Sequence, residues 1–530
     1  MLNTARSRRG MVTSPHHLAS EAGLRVLREG GNAIEATVAM AAVLAVVYPH
    51  MTGIGGDGFW LIAAPGEEPT GIEACGQAAL KAEPELYRKA HLDAVPVRGA
   101  MAANTVAATV SGWADALRVS AGRGGQLPLS RLLEDAVWYA EAGFPVTASQ
   151  SELTAAKLAE LRDLPGFAET FLIHGRPPCP GEIMKLPALS RTFRRMGISG
   201  ADDFYTGELA REIAADLEAG GSPVSGEDLT RHRACRRSPL SLAVPGATLF
   251  NLPPPTQGLS SLMILGLFSR LGIRDAEGFP YVHGLVEATK QAFLVRDRII
   301  GDPDSMAHHP DAFLERTVLD GLAAAIDRNR ALPWPAAPSA GDTVWLGAVD
   351  GEGLATSFIQ SIYFEFGSGV VLPQTGIVWQ NRGASFVLAD ESNARALKPG
   401  RRPFHTLNPA LARFDDGRAM VYGTMGGEGQ PQTQAAVFSR YAMYGQDLQS
   451  AVTAPRWLLG RTWGEDSVTL KVESRFPSEL IQALRNAGHH IEVLDAFTST
   501  MGHAGAIVRH DNGLLEGASD PRSDGAAYGF

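Results

Sequence analysis

Cysteine is scarce in this chain, and the three cysteines that occur are widely separated. They are Cys75, Cys179 and Cys235 in a chain of 530 residues. An odd number at such distances gives no disulfide framework and no metal-ligand spacing. Adjacent histidines also lack a matching cysteine or carboxylate spacing, and they occur at His16-His17, His308-His309 and His489-His490. We therefore expect neither a metal ion nor a cofactor.

An excess of positive charge is also missing. The chain has 47 Lys and Arg against 57 Asp and Glu, which gives a formal net charge of -10. This balance argues against binding to nucleic acid or to an anionic membrane surface. The 45% of hydrophobic residues is typical of a globular protein with an ample core.

No hydrophobic run is long enough to cross a bilayer. The longest, from Thr37 to Tyr48, ends in Pro49-His50 and is better explained as a buried helix. The basic residues Arg6, Arg8 and Arg9 are not followed by an apolar stretch, so no signal peptide is predicted. We expect a cytoplasmic protein without a membrane partner.

Helical patterns dominate up to about residue 330, and strand patterns dominate after residue 343. The predicted helices are 18–29, 33–48 with Asn32 as cap, 131–142 with Ser130 as cap, 208–219, 281–300, 432–444 and 477–487. The predicted strands are 59–63, 344–349, 355–362, 411–414, 419–422 and 504–509. Strand groups beside helix groups indicate an α+β fold in which helices cover sheets.

A run rich in proline and alanine, residues 331–340, leads to Gly341-Asp342-Thr343 and then to a hydrophobic segment. A self-cleaving precursor would expose an N-terminal nucleophile at such a junction between a linker and a new strand. Threonine is also common at strand starts and in turns. The pattern alone leaves both interpretations of Thr343 open.

Two glycine-rich segments occur in opposite contexts. The first, residues 52–58, follows a helix and precedes a strand, which is the reverse of the order that a phosphate-binding loop needs. We expect its glycines to serve a tight, buried crossing. The second, residues 423–429, leaves a strand and enters a helix. Its N–H groups could form an anion-binding concavity, and a flexible loop is the alternative.

Motifs spread over the whole chain resemble those of the γ-glutamyltransferase family. They are Asn32-Ala33-Ile34-Glu35-Ala36, Gly53-Ile54-Gly55-Gly56, Arg296-Asp297-Arg298 with Gly301-Asp302-Pro303, Gly341-Asp342-Thr343 and Asp520-Pro521-Arg522. The resemblance implies an N-terminal nucleophile hydrolase, an αββα sandwich made from a precursor that cuts itself before a threonine. The cut would fall between Asp342 and Thr343. It would give a large part, residues 1–342, and a small part, residues 343–530, which together form one αββα unit.

The resemblance makes Thr343 the catalytic nucleophile. Its freed α-amine, with a pKa of about 7.7–8.0 in the usual range, could serve as the base. The backbone N–H groups of Gly426 and Gly427 would surround the oxyanion. Ser361 stands where the family has a second threonine that helps to hold the nucleophile, and an ordinary strand serine is the alternative.

The residues that would bind the α-amino acid head of a γ-glutamyl substrate are replaced. Ile72 stands where other members of the family carry an arginine, and His405-Thr406 stand where they carry paired serines. Tyr363, Arg382 and Ser385 stand where they carry Asn, Gln and Asp. We expect a site formed by Tyr363, Arg382, Ser385, His405 and Thr406 to bind a carboxylate rather than a zwitterion.

Arg382 is the residue expected to hold that carboxylate, because a guanidinium can donate two parallel hydrogen bonds to it. The alternative is an ion pair of Arg382 with a carboxylate of the protein such as Glu365. The partner implied by the first interpretation is a small anionic amide.

Three segments, residues 374–376, 380–383 and 402–409, resemble the oxamate amidohydrolase branch of the family, which acts in purine and allantoin degradation. This implies that Arg382 and His405 hold the oxamate carboxylate while Thr343 attacks the amide, releasing ammonia and leaving oxalate. A γ-glutamyl hydrolase or transferase acting on glutathione, a glutaryl-type acylase and a non-catalytic binding paralogue remain alternatives. The two fragments would be partners of each other, in a homodimer or heterotetramer of processed chains.

Overall fold

The computed structural model describes residues 3–334, 342–460 and 469–530. Most of the predicted linker therefore lies outside the described residues, as do Gly341 and the side chain of Asp342. The cut proposed between Asp342 and Thr343 falls at the edge of this part of the chain.

Two large sheets form the centre of the described part, and neighbouring strands in both are antiparallel. The first sheet has the spatial order Ala5–Ser7, Leu515–Ser519, Ala504–Arg509, Ala419–Thr424, Ala410–Phe414, Ala247–Asn251 and Leu240–Val244. The second sheet has the order Ala526–Gly529, Gly10–Ser14, Asp342–Asp350, Ala355–Tyr363, Asp57–Ala63, Thr70–Ala74 and Cys235–Arg237. Smaller sheets combine Trp457–Leu459 with Leu470–Glu473 and Ile491–Leu494, and Phe144–Pro145 with Ile183–Met184.

The two large sheets pack face to face through apolar side chains. In the second sheet Phe59 and Leu61 alternate with residues that face the other way, as the two-residue period of a strand requires. They share a buried cluster with Leu411 and Ile507 of the first sheet. This cluster is the core of a two-sheet sandwich.

Helices cover the outer face of each sheet. Ala33–Val47 and Thr109–Ala121 belong to the apolar cluster that includes Trp60 and Phe358 of the second sheet. Gly258–Arg270 and Phe279–Ile299 belong to the cluster on the first sheet. The layers therefore follow the order helix, sheet, sheet, helix, and the predicted αββα sandwich is confirmed.

The other helices surround these layers. Those of nine or more residues are His17–Arg28, Glu134–Ala142, Ala148–Ala156, Pro187–Ser199, Glu208–Gly220, Arg316–Ala324, Gly429–Phe438 and Ser478–Asn486. Shorter ones are Pro84–Lys89, Leu129–Leu132, Leu158–Leu161, Phe167–Phe171, Asp203–Thr206, Gly226–Arg231 and Leu448–Thr453, with a π-helical turn at Ser439–Met443 and 3-10 turns at Ala100–Ala102, Pro303–Ser305, Pro310–Leu314, Arg382–Ser385 and Ser499–Met501. No helix among the described residues has both the length and the apolar character needed to cross a membrane.

The apolar run near the N-terminus forms the predicted buried helix. Ala33–Val47 is buried at every position. The side chain of Asn32 accepts hydrogen bonds from the N–H groups of Ile34 and Glu35, and the Glu35 carboxylate accepts one from the N–H of Asn32. This reciprocal capping box fixes where the helix begins.

Two predicted helices differ in detail. The helix predicted at 131–142 is split into Leu129–Leu132 and Glu134–Ala142, and Ser130 lies inside the first piece, whose N-cap is Pro128. The predicted Ser130 cap is therefore wrong, because Pro128 supplies the extended backbone before the first turn. The helix predicted at 432–444 is Gly429–Phe438 followed by the π-helical turn.

The helical texture of the first 330 residues concealed several strands. Gly10–Ser14 is buried throughout and pairs with a strand more than 300 residues away, with Gly10 opposite Asp350. Leu240–Val244 and Ala247–Asn251 form one edge of the first sheet. Gly10–Ser14 is buried on both faces and lacks polar alternation, so its local sequence does not reveal it. Leu240–Val244 does alternate between buried and exposed positions, and its alternation is the signal that could have identified it.

Candidate active site

Thr343 lies at the start of a central strand of the second sheet, Asp342–Asp350. Asp342 pairs with Tyr363 and Val344 pairs with Gln360, so Thr343 faces two residues, Ser361 and Ile362. This is a β-bulge, a feature that redirects a side chain locally. The Thr343 side chain is buried, and its hydroxyl accepts a hydrogen bond of 3.4 Å from the Gln430 amide.

Gln430 belongs to the first turn of the helix that follows the second glycine-rich segment. Within this segment Gly426 has φ +112° and Gly427 has φ +51°, a region that side chains disfavour. Their carbonyls accept hydrogen bonds from the N–H groups of Gly429 and Gln430. Among the described residues, neither N–H of Gly426 and Gly427 has a backbone acceptor. The loop thus presents donors next to the residue that contacts Thr343.

A buried polar network supports this loop. The Gln257 amide donates to the carbonyl of Gly427 at 2.8 Å and to that of Thr406 at 2.7 Å. Arg296 donates to the Gln257 side-chain carbonyl at 3.2 Å and to the Glu428 carboxylate at 2.6 Å. Gln257 was not identified from the sequence, because nothing in its local pattern marks it, and Glu428 was included only as part of the second glycine-rich segment.

Arg382 is almost fully buried in the 3-10 turn Arg382–Ser385. One guanidinium nitrogen, Nη1, donates to the Thr406 hydroxyl at 3.4 Å. The other two, Nε and Nη2, have no hydrogen-bond partner in the part of the chain that the structure describes. Burial lowers the pKa of the guanidinium, and the interactions with Tyr363 and Asp57 oppose that shift.

Arg382 does not form the ion pair that was the alternative interpretation. Glu365 instead lies 3.8 Å from Arg98, and none of the described carboxylates forms a salt bridge with Arg382. Because leaving a buried cation unpaired is costly, two unused donors on it are evidence for an anionic ligand.

Tyr363 places Arg382 close to the nucleophile. The guanidinium carbon lies 3.5 Å from the centre of the Tyr363 ring, an attractive cation–π contact. Tyr363 itself pairs with Asp342, the residue before Thr343. Its φ of +81° is unusual for an aromatic residue, and such strained backbone is concentrated at functional sites.

His405 is hydrogen-bonded to Asp57, a residue of the first glycine-rich segment to which the sequence assigns no role. His405 Nε2 lies 2.8 Å from Asp57 Oδ2, and both side chains are buried. The other carboxyl oxygen, Oδ1, accepts hydrogen bonds of 3.0 Å from the N–H of Gly76 and from the Gln380 amide. His405 Nδ1 has no partner among the described residues.

Burial shifts the pKa values of Asp57 and His405 in opposite directions. Burial raises the pKa of Asp57 to about 7, although hydrogen bonds from Gln380 and Gly76 and the charge of Arg382 oppose this shift. Burial and the charge of Arg382 lower the pKa of His405 well below its usual range. His405 is therefore neutral at physiological pH. A lone carboxyl among glycines and apolar residues was the signal that could have identified Asp57.

One predicted residue, Ser385, and the excluded Ile72 have other surroundings. The Ser385 hydroxyl lies 3.0 Å from the carbonyl of Arg382 and 3.2 Å from that of Phe404, so it supports the backbone of the turn. Ile72 belongs to the apolar cluster under the outer helices, whereas the adjacent Glu73 pairs with Arg402.

Two clusters contain the kinds of atom that bind metals. Asp57, Cys75 and His405 bring their donor atoms within 4.8 Å of one another, as do His283, Glu287 and His489. In the first cluster Asp57 and His405 bond directly and the cation Arg382 lies nearby. In the second, the Lys290 ammonium lies 2.7 Å from Glu287. Because a cationic side chain, Arg382 or Lys290, already lies near each cluster, a hydrogen-bonded network is a better assignment for both clusters than a metal site.

Two antiparallel sheets between helical layers, with a buried hydroxyl at the start of a central strand, define the fold of an N-terminal nucleophile hydrolase. A family model described as gamma-glutamyltranspeptidase matches residues 19–530, and the chain belongs to this family of enzymes.

Individual relatives cover nearly the whole chain. The oxamate amidohydrolase proenzyme of Klebsiella pneumoniae is 56% identical over 525 residues, 99% of each chain. The glutathione hydrolase-like YwrD proenzyme of Bacillus subtilis is 40% identical over 98% of each chain. The crystal structure of cephalosporin acylase from Bacillus halodurans has a TM-score of 0.91 and 32% identity, and the match covers 100% of this chain and 97% of that one.

Proposed function

We propose that this chain is a self-cleaving amidohydrolase that converts oxamate to oxalate and ammonia. The observation that carries the proposal is Arg382, a buried cation with two donors that no described residue uses. Oxamate is a carboxylate bonded directly to an amide, so it supplies the missing acceptor within one bond of the reacting carbon. The similarity to a relative named oxamate amidohydrolase supports the same substrate.

Thr343 is the proposed nucleophile. Its oxygen forms a bond to the amide carbon while its hydroxyl proton passes to its own α-amine. The resulting oxyanion accepts hydrogen bonds from the N–H groups of Gly426 and Gly427. The C–N bond then breaks, the α-amine returns the proton to the departing ammonia, and an ester on Thr343 remains. Water hydrolyses this ester and releases oxalate.

Self-cleavage between Asp342 and Thr343 would create the free α-amine that this mechanism needs. The relatives named as proenzymes support a precursor of this kind. Mass spectrometry of the purified protein should show a fragment beginning at Thr343, and T343A should remain a single inactive chain. An uncut wild-type chain that nevertheless hydrolyses amides would contradict the mechanism.

The substrate is tested by incubating the cut enzyme separately with oxamate and with glutathione. We expect ammonia from oxamate and little glutamate from glutathione. The site is suited to a carboxylate next to the amide, and a substrate that leaves buried donors of the site unpaired is strongly rejected. Efficient release of glutamate, with no ammonia from oxamate, would make the chain a glutathione hydrolase instead. The cytoplasmic location, a role in purine degradation and assembly into a homodimer or heterotetramer stay predictions.

A further inference from the structure

Asp57 and Arg382 are oppositely charged neighbours that share no hydrogen bond. Each affects the pKa of the other, yet the Asp57 oxygens bond to Gly76, Gln380 and His405. The two unused guanidinium donors thus remain for a ligand while an ionised Asp57 partly neutralises the cation.

A carboxylate ligand on Arg382 would place two anions around one buried cation. Two anions close together in a buried site of low dielectric constant repel each other much more strongly than they would in water. The repulsion disappears if Asp57 gains a proton, because the site then holds one cation and one anion. The contact of 2.8 Å between Asp57 Oδ2 and His405 Nε2 can hold a proton on either atom, and His405 Nδ1, which has no partner among the described residues, is left to interact with the ligand.

We propose that the Asp57–His405 pair takes up one proton from solvent when a carboxylate ligand binds to Arg382, and that His405 Nδ1 thereby becomes a hydrogen-bond donor. This inference rests on the proposed function and defines how its substrate is recognised. Before binding, Nε2–H donates to the Asp57 carboxylate and Nδ1 carries a lone pair. On binding, that proton passes to Oδ2, whose O–H donates back to Nε2, and the proton from solvent occupies Nδ1. The imidazole stays neutral throughout.

Two other titratable groups near Asp57, Cys75 and Tyr205, stay neutral in the relevant pH range. Burial raises the pKa of the Cys75 thiol well above its usual value and also raises that of Tyr205. Beyond Cys75 lies Arg402, which forms salt bridges with both Glu73 and Asp302. The α-amine of a cut Thr343 could also gain a proton, so a variant at Asp57 must separate the two sources.

The test is calorimetry of oxalate binding to the cut wild-type enzyme in two buffers of different ionisation enthalpy. At about pH 8 we expect uptake of up to one proton per site, falling towards zero at about pH 5.5, since a group with a pKa of about 7 is then already protonated. Above about pH 7 the affinity for oxalate should fall about tenfold per pH unit. Measurable binding without proton uptake at about pH 8 would overturn the proposal.

D57N is the informative variant, because an asparagine can keep the bonds to Gly76 and Gln380 while its amide donates to His405. It mimics the protonated pair, so it should bind oxalate without proton uptake and without the pH dependence. D135N is the matched control, since burial also raises the pKa of Asp135 but this residue lies on Glu134–Ala142 beside Arg25. It should behave as wild type. Proton uptake that persists in a folded D57N protein would assign it to the Thr343 amine and overturn the proposal.

A wrong substrate assignment can be distinguished from a wrong proposal about proton uptake. If the wild-type enzyme releases glutamate from glutathione rather than ammonia from oxamate, glutamate replaces oxalate as the probe, and the same proton uptake is expected. Absence of binding by oxalate, glutarate and glutamate alike would remove the anion site and the inference with it. If D57N does not fold, wild-type calorimetry at about pH 8 still tests the proposal, because binding of oxalate without proton uptake would overturn it.

Discussion

The two glycine-rich loops use glycine for opposite reasons. In the first loop a Cβ on Gly55 would lie 2.1 Å from the carbonyl oxygen of Val378, and one on Gly56 would lie 2.0 Å from that of Ser361. In the second loop a Cβ on Gly426 would meet nothing closer than 3.5 Å. There the requirement is the positive φ of Gly426 and Gly427. One loop needs glycine for space and the other for backbone direction.

This difference divides the site into two parts. The first loop packs against the segment that leads to Arg382, with the N–H of Gln380 donating to the carbonyl of Gly55 at 3.0 Å, and it also carries Asp57. We therefore assign substrate recognition to its side of the site. The second loop lies next to Gln430 and Thr343, and we assign to it the stabilisation of the reacting carbonyl.

The largest effect should come from G56A. The added methyl group has no room against the backbone of Ser361, and backbone cannot move aside as a side chain can. We expect a cost above about 3 kcal/mol, with loss of the folded precursor and of self-cleavage. Thermal unfolding and denaturing electrophoresis measure both. G53A is the matched control from the same loop, because its Cβ would lie 3.5 Å from the Ile362 side chain and should be tolerated. A stable, cut G56A protein would break the comparison.

G427V should keep the fold and lose turnover. A β-branched residue at φ +51° would twist the N–H groups of the loop away from the oxyanion, and losing one such donor typically costs about 10²–10³ in kcat. G513V is the control, since Gly513 also has positive φ, +81°, but nothing lies within 4 Å of its Cβ. It measures the cost of strain alone. Near-normal turnover of G427V would place the oxyanion elsewhere.

R382Q sharpens the division between the two loops, because it should affect recognition but not maturation. A charge-assisted hydrogen bond is worth roughly 1.5–3 kcal/mol, so kcat/KM on oxamate should fall about ten- to a hundredfold. R382K should lose less, since lysine keeps the charge without the planar pair of donors. Both variants should still cut themselves. Unchanged kinetics of R382Q on oxamate would remove Arg382 from the site.

The smallest effect is expected from Q257M. In the wild type, the Gln257 side chain connects the second loop to Thr406 by donating hydrogen bonds to the carbonyls of Gly427 and Thr406. Methionine fills the space but leaves both carbonyls without that donor and Arg296 without the Gln257 acceptor, at a cost of about 1–3 kcal/mol in the free energy of unfolding. Chemical denaturation measures this cost. Stability equal to that of wild type would show that the loop holds its shape without Gln257.

The parts of the fold predicted correctly were those with local signals. Asn32 followed by Glu35 marks a helix start within four residues, and the run after it can only be a buried helix. The strand Gly10–Ser14 has no such signal, since its partners lie at Asp342–Asp350 and Ala526–Gly529. Pairing over such distances depends on the whole chain.

The site divides in the same way. The resemblance places Thr343, Arg382 and His405 in one site, and the contacts support a common site, whereas Asp57 as the partner of His405 was not predicted. The bond between His405 and Asp57 joins residues 348 positions apart. No spacing rule connects them, because they meet only when the segment that carries His405 packs beside the second sheet.

The order of strands in the second sheet has a consequence for the lifetime of the enzyme. The strand that begins with Thr343 lies between Gly10–Ser14 and Ala355–Tyr363, so a cut before Thr343 leaves a strand of one fragment hydrogen-bonded between strands of both. The fragments could not separate without tearing the sheet. Once unfolded, they would have to find each other by diffusion, without the covalent connection that guided the precursor. Unfolding would therefore be reversible before the cut and irreversible after it. The lifetime of the mature enzyme would then depend on a slow rate of unfolding rather than on refolding.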